Sequence, residues 1–343
     1  MDTPYDAVEP LAHLGGRLAT GLLETSHDLG VLDGSGRWAV VVTYEGAVTC
    51  ARFAEWRPAP LPDAPPWLGP GLTSWVSSLD RTSYVAAAEE IRARIAAGTV
   101  YQVNLCRVIS AELTDRPDLL PLARSLAARH DARYASVIRL PEAGVYVASA
   151  SPELFLRRRG DRVASAPIKG TGRSADDITD KDVAENIMIV DLVRNDLSRV
   201  CATGTIAVEG LLSAETYPGL VHLVSTVTGR LEPGRGWHDL VEATFPPGSV
   251  TGAPKSTAVT TIADLEPVPR GPYCGAVGWV DADTGVGELA VGIRTFWAEQ
   301  GCLRFGTGAG ITWGSDPGGE WAETELKAGR LIGLASADGE GGR

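Results

Sequence analysis

The sequence predicts an α+β protein, and three observations carry that reading. Strand-like runs, VYQVNLCRVISAEL, YASVIRL, GVYVASA and ELFLRRRGDRVASAP, follow one another between residues 100 and 167. Helical periodicity is confined to separate blocks at 80–98, 181–199, 236–244, 254–264 and 319–336. Further strands are expected at 205–212, 219–230, 274–282, 287–298 and 302–308, so antiparallel-type strands dominate with helices interspersed. With 343 residues, 44% apolar and 22% charged, the chain has the composition of a soluble globular protein and ample length to bury a core.

The first 57 residues hold short strand candidates such as GRWAVVVTYEG (36–46), and the proline-rich RPAPLPDAPPWLGPG (57–71) reads as a linker or wrapped loop. In the first helix, Tyr84, Ala88, Ile91 and Ile95 share a face, and Gly98 supplies the stop. No short internal repeat is present. A net charge of −12 argues against nucleic acid or an anionic membrane as main partner. Cys50, Cys106, Cys201, Cys274 and Cys302 show no paired metal spacing, which points to a reduced, cytoplasmic setting. The N-terminus has no basic segment leading into an apolar core, and no apolar run reaches the ~20 residues that span a bilayer.

Chemistry concentrates in a few stretches. SAPIKGTGR (165–173) presents Lys169 in a turn where Pro167 fixes one dihedral and Gly170 and Gly172 permit close backbone approach. In KDVAENIMIVDLVRNDLSRV, Asp182 and Glu185 lie three apart on one helix face; in SDPGGEWAETELKAGRLI, Glu320, Glu323 and Lys327 line one face at spacings of three and four, with DPGG as the stop before that helix. Two such helices can pool carboxylates around magnesium, which takes one or two carboxylates plus water and substrate oxygens. The same spacing also makes a solvated acidic turn or plain ion pairs. TFPPGSVTGAPKSTA (244–258) runs into a helix start where Lys255 and free N–H groups form an anion cradle, without Walker spacing; this segment and FGTGAGITWGSDPGG (305–319) read equally as ordinary loops.

Taken together, PIKGTGR, MIVDLVRNDLSRV, FPPGSVTGAPK, YCGAVGWV, ELAVGIRT and GTGAGITWGSDPGGEWAETELKA resemble the chorismate-utilising enzymes over residues 72–336. The resemblance implies two stacked antiparallel sheets flanked by helices, around a cleft that holds magnesium-bound chorismate. It implies residues 1–71 as a shortened N-terminal region packed on that catalytic body and 337–343 as a tail. Lysine between PI and GT is the mark of the aminodeoxychorismate synthase branch, component I; anthranilate synthase component I carries alanine there. Lys169 is then the nucleophile at carbon 2 of chorismate. A lysine amine with a pKa of ~10.4 is neutral only to roughly 0.04% at pH 7, so that role requires burial.

By the same resemblance Glu153, in ASPELFL, is the general acid for the departing hydroxyl, which requires a raised pKa. Gln102 stands where water-using members carry a lysine base, which disfavours water addition. Glu185 and Glu323 are implied magnesium ligands, with Asp182 and Glu320 acting through water. Arg294 and Tyr273 would hold the pyruvyl carboxylate, Thr251, Gly308 and Lys327 line the pocket, and Gly170 and Thr171 form its wall. GLLETSHD (21–28) resembles a tryptophan-binding stretch, with Thr25 replacing serine and much of its subdomain missing. Cys302 has no nucleophile-elbow motif around it, so ammonia is expected from a separate glutamine amidotransferase subunit or from solution. The implied product, 4-amino-4-deoxychorismate, serves 4-aminobenzoate and folate or an arylamine pathway. A non-catalytic chorismate-binding subunit is the alternative of a different class.

Overall fold

The computed structural model describes residues 8–113, 117–129, 132–172, 174, 178–217 and 220–337, without the side chains of 171, 172, 180, 216, 217 and 220. The strands are β1 (Leu11–Leu14), β2 (Arg17–Ser26), β3 (Arg37–Val42), β4 (Val48–Pro58), β5 (Val76–Ser77), β6 (Gln102–Glu112), β7 (Tyr134–Leu140), β8 (Val145–Ser151) and β9 (Leu154–Arg159). They continue as β10 (Arg162–Ala166), β11 (Ile168–Gly172), β12 (Ala207–Tyr217), β13 (Leu220–Arg230), β14 (Gly252–Ala253), β15 (Ala276–Asp281), β16 (Val286–Val291), β17 (Thr295–Glu299) and β18 (Cys302–Ile311). The helices are α1 (Arg81–Ala96), α2 (Leu120–Arg129), α3 (Asp180–Ser198), α4 (Trp237–Thr244), α5 (Lys255–Leu265) and α6 (Pro317–Ala335).

Every pairing among these strands is antiparallel. One side of the ladder runs β12, β13, β10 with β11, β9, β16, β15, β3, β4. It continues through β2 and β1 into β7, β8, β17, β18 and β6. The two halves bury their apolar faces together: Val41, Val277 and Leu289 from the first share one cluster with Ile138, Val147 and Trp297 from the second. The region set apart by composition, 1–71, contributes β1 to β4 to this ladder, with β3 paired along β15 from Arg37↔Asp281 to Val42↔Ala276. The proline-rich stretch after β4 lies over a second cluster through Leu61, Ala64 and Trp67, and Trp67 Nε1 donates to Ala335 O at 2.8 Å.

The helices form where caps and apolar spacing agree. Asp80 caps α1 by accepting from Ser83 N at 2.8 Å, and Tyr84, Ala87, Ala88 and Ile91 make its buried face. Thr179 and Asp182 make a capping box for α3, whose Ile189, Val190, Val193 and Leu197 face the core. Three expectations need correction. DPGG is part of α6 rather than a stop before it: Asp316 caps the helix through Gly319 N at 2.7 Å and Pro317 takes its first position. The run 287–298 is two strands, because Arg294 adopts a left-handed φ of +51° between β16 and β17. Finally, Lys169 lies on strand β11 rather than in a turn, because Ile168 and Thr171 pair with β13; α2, outside the periodic blocks, packs Leu122, Ala123 and Leu126 into the cluster under the proline-rich stretch.

Candidate active site

Lys169 sits on β11 where the pairing with β13 slips. Ile168 lies opposite Val224 and Thr171 opposite His222, so one extra residue is accommodated at Lys169–Gly170. Gly170 takes a φ of +89°, and a Cβ there would come within 3.0 Å of Asp182 Cβ and 3.4 Å of Leu223 Cβ. Glycine at 170 therefore lets β11 lie against the first turn of α3, and the bulge sets the direction of the half-buried Lys169 side chain. The Thr171 side chain lies outside the described residues.

Glu153, just before β9, is 3% exposed. Burial pushes its carboxyl up to about 7, against the opposing pull of the Ser249 hydroxyl, Lys169, the Ile168 N–H and Arg294. It is therefore a carboxyl that carries its proton through a large part of the neutral range. The left-handed turn at Arg294 brings the guanidinium within electrostatic reach of Glu153, and burial pulls that guanidinium below its ordinary range. His222 of β13 is also buried; burial first, then Arg294, lowers its ring to about 4, leaving a neutral imidazole at pH 7.

The carboxylates of α3 and α6 do converge. Lys181 Nζ stands 2.8 Å from Glu320 Oε1 and 3.8 Å from Glu185 Oε1, joining the two helices. Burial raises the Glu185 carboxyl, opposed by Lys169 and Lys181. The carboxyl of Glu323 is held below its ordinary value, despite burial, by Lys327 at 2.6 Å with help from Lys181 and Lys169. Glu320 also accepts from Ser315 Oγ at 2.5 Å. Asp182 is committed locally, taking both Thr179 N (2.9 Å) and Thr179 Oγ1 (2.6 Å) on Oδ2. Among the described residues no three His, Cys, Asp or Glu side chains are grouped closely enough to hold a metal ion. The donors are nonetheless hard carboxylate oxygens already bridged by one cation, the donor chemistry that suits magnesium.

The other expected pocket residues divide into two groups. Gln102, 1% exposed, leaves Oε1 without a hydrogen-bond partner, and its Nε2 fills the space where a Gly310 side chain would be, beside Glu185 Oε2. Lys327 Nζ donates to Gly308 O at 3.2 Å, placing both at this edge. Thr251 is fully buried and spends its hydroxyl on Pro247 O and Gly248 O at 3.0 and 3.2 Å, shaping the loop that carries Ser249. Tyr273 packs over Gly306 and receives the Cys106 thiol at 3.7 Å, in a buried group with Cys274 and Arg270. Lys255 is no anion cradle: its Nζ donates to Asp196 Oδ2 at 2.6 Å and Thr244 O at 2.7 Å, because a buried ammonium needs partners. In the GLLETSHD stretch, Glu24 pairs with Arg52 at 2.5 Å.

Sequence reasoning missed Lys181, His222 and Ser249. Lys181 lies four residues before Glu185 and was legible as an ion-pair partner; His222 and Ser249 gain meaning only from the strands and loop that carry them to Arg294 and Glu153.

The profile of the chorismate binding enzymes matches residues 51–333. The chain belongs to that family. Among curated chorismate binding relatives, it is 38% identical over 274 residues to anthranilate synthase component 1 of Streptomyces coelicolor, covering 76% of this chain and 53% of that protein. It is 39% identical over 272 residues to aminodeoxychorismate synthase component 1 of Klebsiella aerogenes, covering 76% and 59%. The chain thus spans less than two thirds of the length of these relatives. Anthranilate synthase component I from Streptococcus pneumoniae TIGR4 superposes with a TM-score of 0.79 at 22% identity, over 96% of this chain and 94% of that one. The menaquinone-specific isochorismate synthase of Escherichia coli gives 0.78 at 20% identity, over 96% and 89%. The chorismate binding fold, an α+β body of antiparallel sheets flanked by helices, is therefore shared across members with different names. No helix among the described residues is long and apolar enough to cross a membrane.

Proposed function

We propose that this chain is an aminodeoxychorismate synthase component I, converting chorismate and ammonia to 4-amino-4-deoxychorismate and water. The observation that carries the reading is Lys169: the bulge in β11 holds an amine within electrostatic reach of Glu153 on one side and of Glu185 and Glu323 on the other. Magnesium held by Glu185 and Glu323, with Asp182 and Glu320 acting through water, would neutralise a substrate carboxylate and so supply charge stabilisation. Arg294 fits the second carboxylate, since a planar guanidinium matches it with two parallel hydrogen bonds.

In this reading the Lys169 lone pair attacks carbon 2, both conjugated ring double bonds shift by one position, and the bond from carbon 4 to its hydroxyl breaks. Glu153 gives its proton to that leaving oxygen, which departs as water. Ammonia then adds at carbon 4, both double bonds shift back, the Lys169 amine is released, and the surplus proton on the new amine returns to the Glu153 carboxylate. Lys169 is only half-buried, so its enclosure falls to the bound substrate. Gln102 has no titratable proton in this range and cannot activate water as a lysine would, which supports an amine as the nucleophile. Ammonia is drawn from a glutamine amidotransferase subunit or from solution.

The test is peptide mass mapping. Chorismate incubated with protein and magnesium, without an amine, should leave an adduct of chorismate less water on the peptide APIKGTGR, and Lys169→Ala should abolish it. An enzyme that forms aminodeoxychorismate with no Lys169 adduct defeats the covalent step. A second reading, anthranilate synthase component I, is favoured by the Streptomyces coelicolor relative at matching identity. Anthranilate as the product of chorismate, ammonium and magnesium would establish it, and no turnover at all would favour a non-catalytic chorismate-binding subunit.

A further inference from the structure

Lys181 takes no part in the chemistry above, and the helix that carries it does not explain it. It is the second residue of α3, where a cation faces the positive end of the helix dipole. Its partners across the site explain it instead. Nζ stands 2.8 Å from Glu320 Oε1 on α6 and 3.8 Å from Glu185 Oε1 on its own helix, and Glu323 lies within its electrostatic reach. The Glu320 and Glu185 side chains are 5% and 14% exposed, so both carboxylates are drawn out of water and need a counter-charge. The Lys181 side chain is 43% exposed, so its flexible stem reaches solvent. The other cations facing these carboxylates are Lys327, 2.6 Å from Glu323, and Lys169 from β11.

We propose that Lys181 is a built-in competitor for magnesium: its ammonium neutralises Glu185 and Glu320, and it must swing out toward solvent for a divalent cation to draw on the same carboxylates. The inference rests on the metal role given above to Glu185, Glu323 and Glu320. An ammonium and a divalent cation gathered by the same carboxylates lie only a few ångströms apart, and around largely buried oxygens their repulsion is not screened away. The carboxylates of α3 and α6 cannot satisfy both cations fully, so each gives way to the other. Lys181 thereby joins the two helices before magnesium arrives, and it sets a weaker affinity for the metal than the carboxylates alone would give. Its long stem and exposed flank let the ammonium leave without rearranging either helix.

Magnesium binding to the full chain, without chorismate, is measured by isothermal titration calorimetry and by the rise in Tm that the metal brings. Lys181→Met should bind magnesium roughly tenfold more tightly than the parent and gain more in Tm at equal metal concentration, since a tighter ligand stabilises more by mass action. Lys181→Arg keeps the charge and should bind no more tightly than the parent. Arg194→Met removes one positive charge from the same helix, about 20 Å farther along it, where Arg194 pairs with Asp191. It should leave the affinity within about twofold, which separates displacement from the general field of the protein. Tighter binding in Lys181→Met, without it in the other two variants, supports the proposal. Unchanged or weaker binding in Lys181→Met, or an equal gain in Arg194→Met or Lys181→Arg, overturns it. If Lys181→Met does not fold, Lys181→Gln removes the same charge with a polar side chain and decides by the same titration. No magnesium response by either measurement in the parent and the Lys181 variants also overturns the proposal, while turnover of chorismate with ammonium and magnesium decides the functional reading separately.

Discussion

Replacing Glu153 with glutamine should make the protein more stable above neutral pH while removing its acid chemistry. The carboxyl moves from 4.5 to about 7 on folding, mainly through burial. Because the folded value is the higher one, the folded state binds more protons between these limits. The contribution to stability is therefore fully present below pH 4.5 and is lost as pH rises through 7. At roughly 1.4 kcal/mol per tenfold, the ionised carboxylate costs the fold about 3 kcal/mol on the alkaline side. Glutamine is isosteric, cannot ionise and can still accept from Ser249 and Ile168. Urea denaturation of parent and variant from pH 4.5 to 8 should give a stability difference near zero at the acid end, growing toward that value in favour of the variant. Turnover should fall by roughly 10²- to 10⁴-fold, the usual worth of a general acid. A stability difference that is flat across this range would refute the argument that Glu153 is buried with a raised pKa.

Three further outcomes follow from the site. Glu185→Gln or Glu323→Gln should remove magnesium-dependent turnover while circular dichroism stays unchanged; retained magnesium dependence in both would sink the assignment of the acidic pair. Gly170→Ala should cost about 1–3 kcal/mol in urea denaturation, because a side chain at φ +89° meets Asp182 Cβ at 3.0 Å; a neutral result would show that β11 and α3 are not so tightly apposed. The purified chain should use ammonium salts but not glutamine, and efficient glutamine use would reveal an amidotransferase site within it.

Periodicity and turn chemistry made most elements legible. The stop at Gly98, the spacing of Tyr84, Ala88 and Ile91, and the alternating runs along β7 to β10 are local signals, and local signals survive into the fold because each minimises its own exposed apolar surface or orphaned backbone groups. The carboxylate faces of α3 and α6 were equally legible, since three- and four-residue spacing is a property of the helix alone. What the sequence left open is whatever depends on two distant segments meeting. Lys255 carries the same charge in an anion cradle or a buried ion pair; only the approach of Asp196 and Thr244 decides which. Arg294 breaks a strand that composition reads as continuous, because its left-handed turn is held by the strands on either side. The raised pKa of Glu153 was implied only by resemblance. The structure supplies its physical reason: burial where β11, the loop 245–254 and the turn at Arg294 meet, which no local stretch of sequence contains.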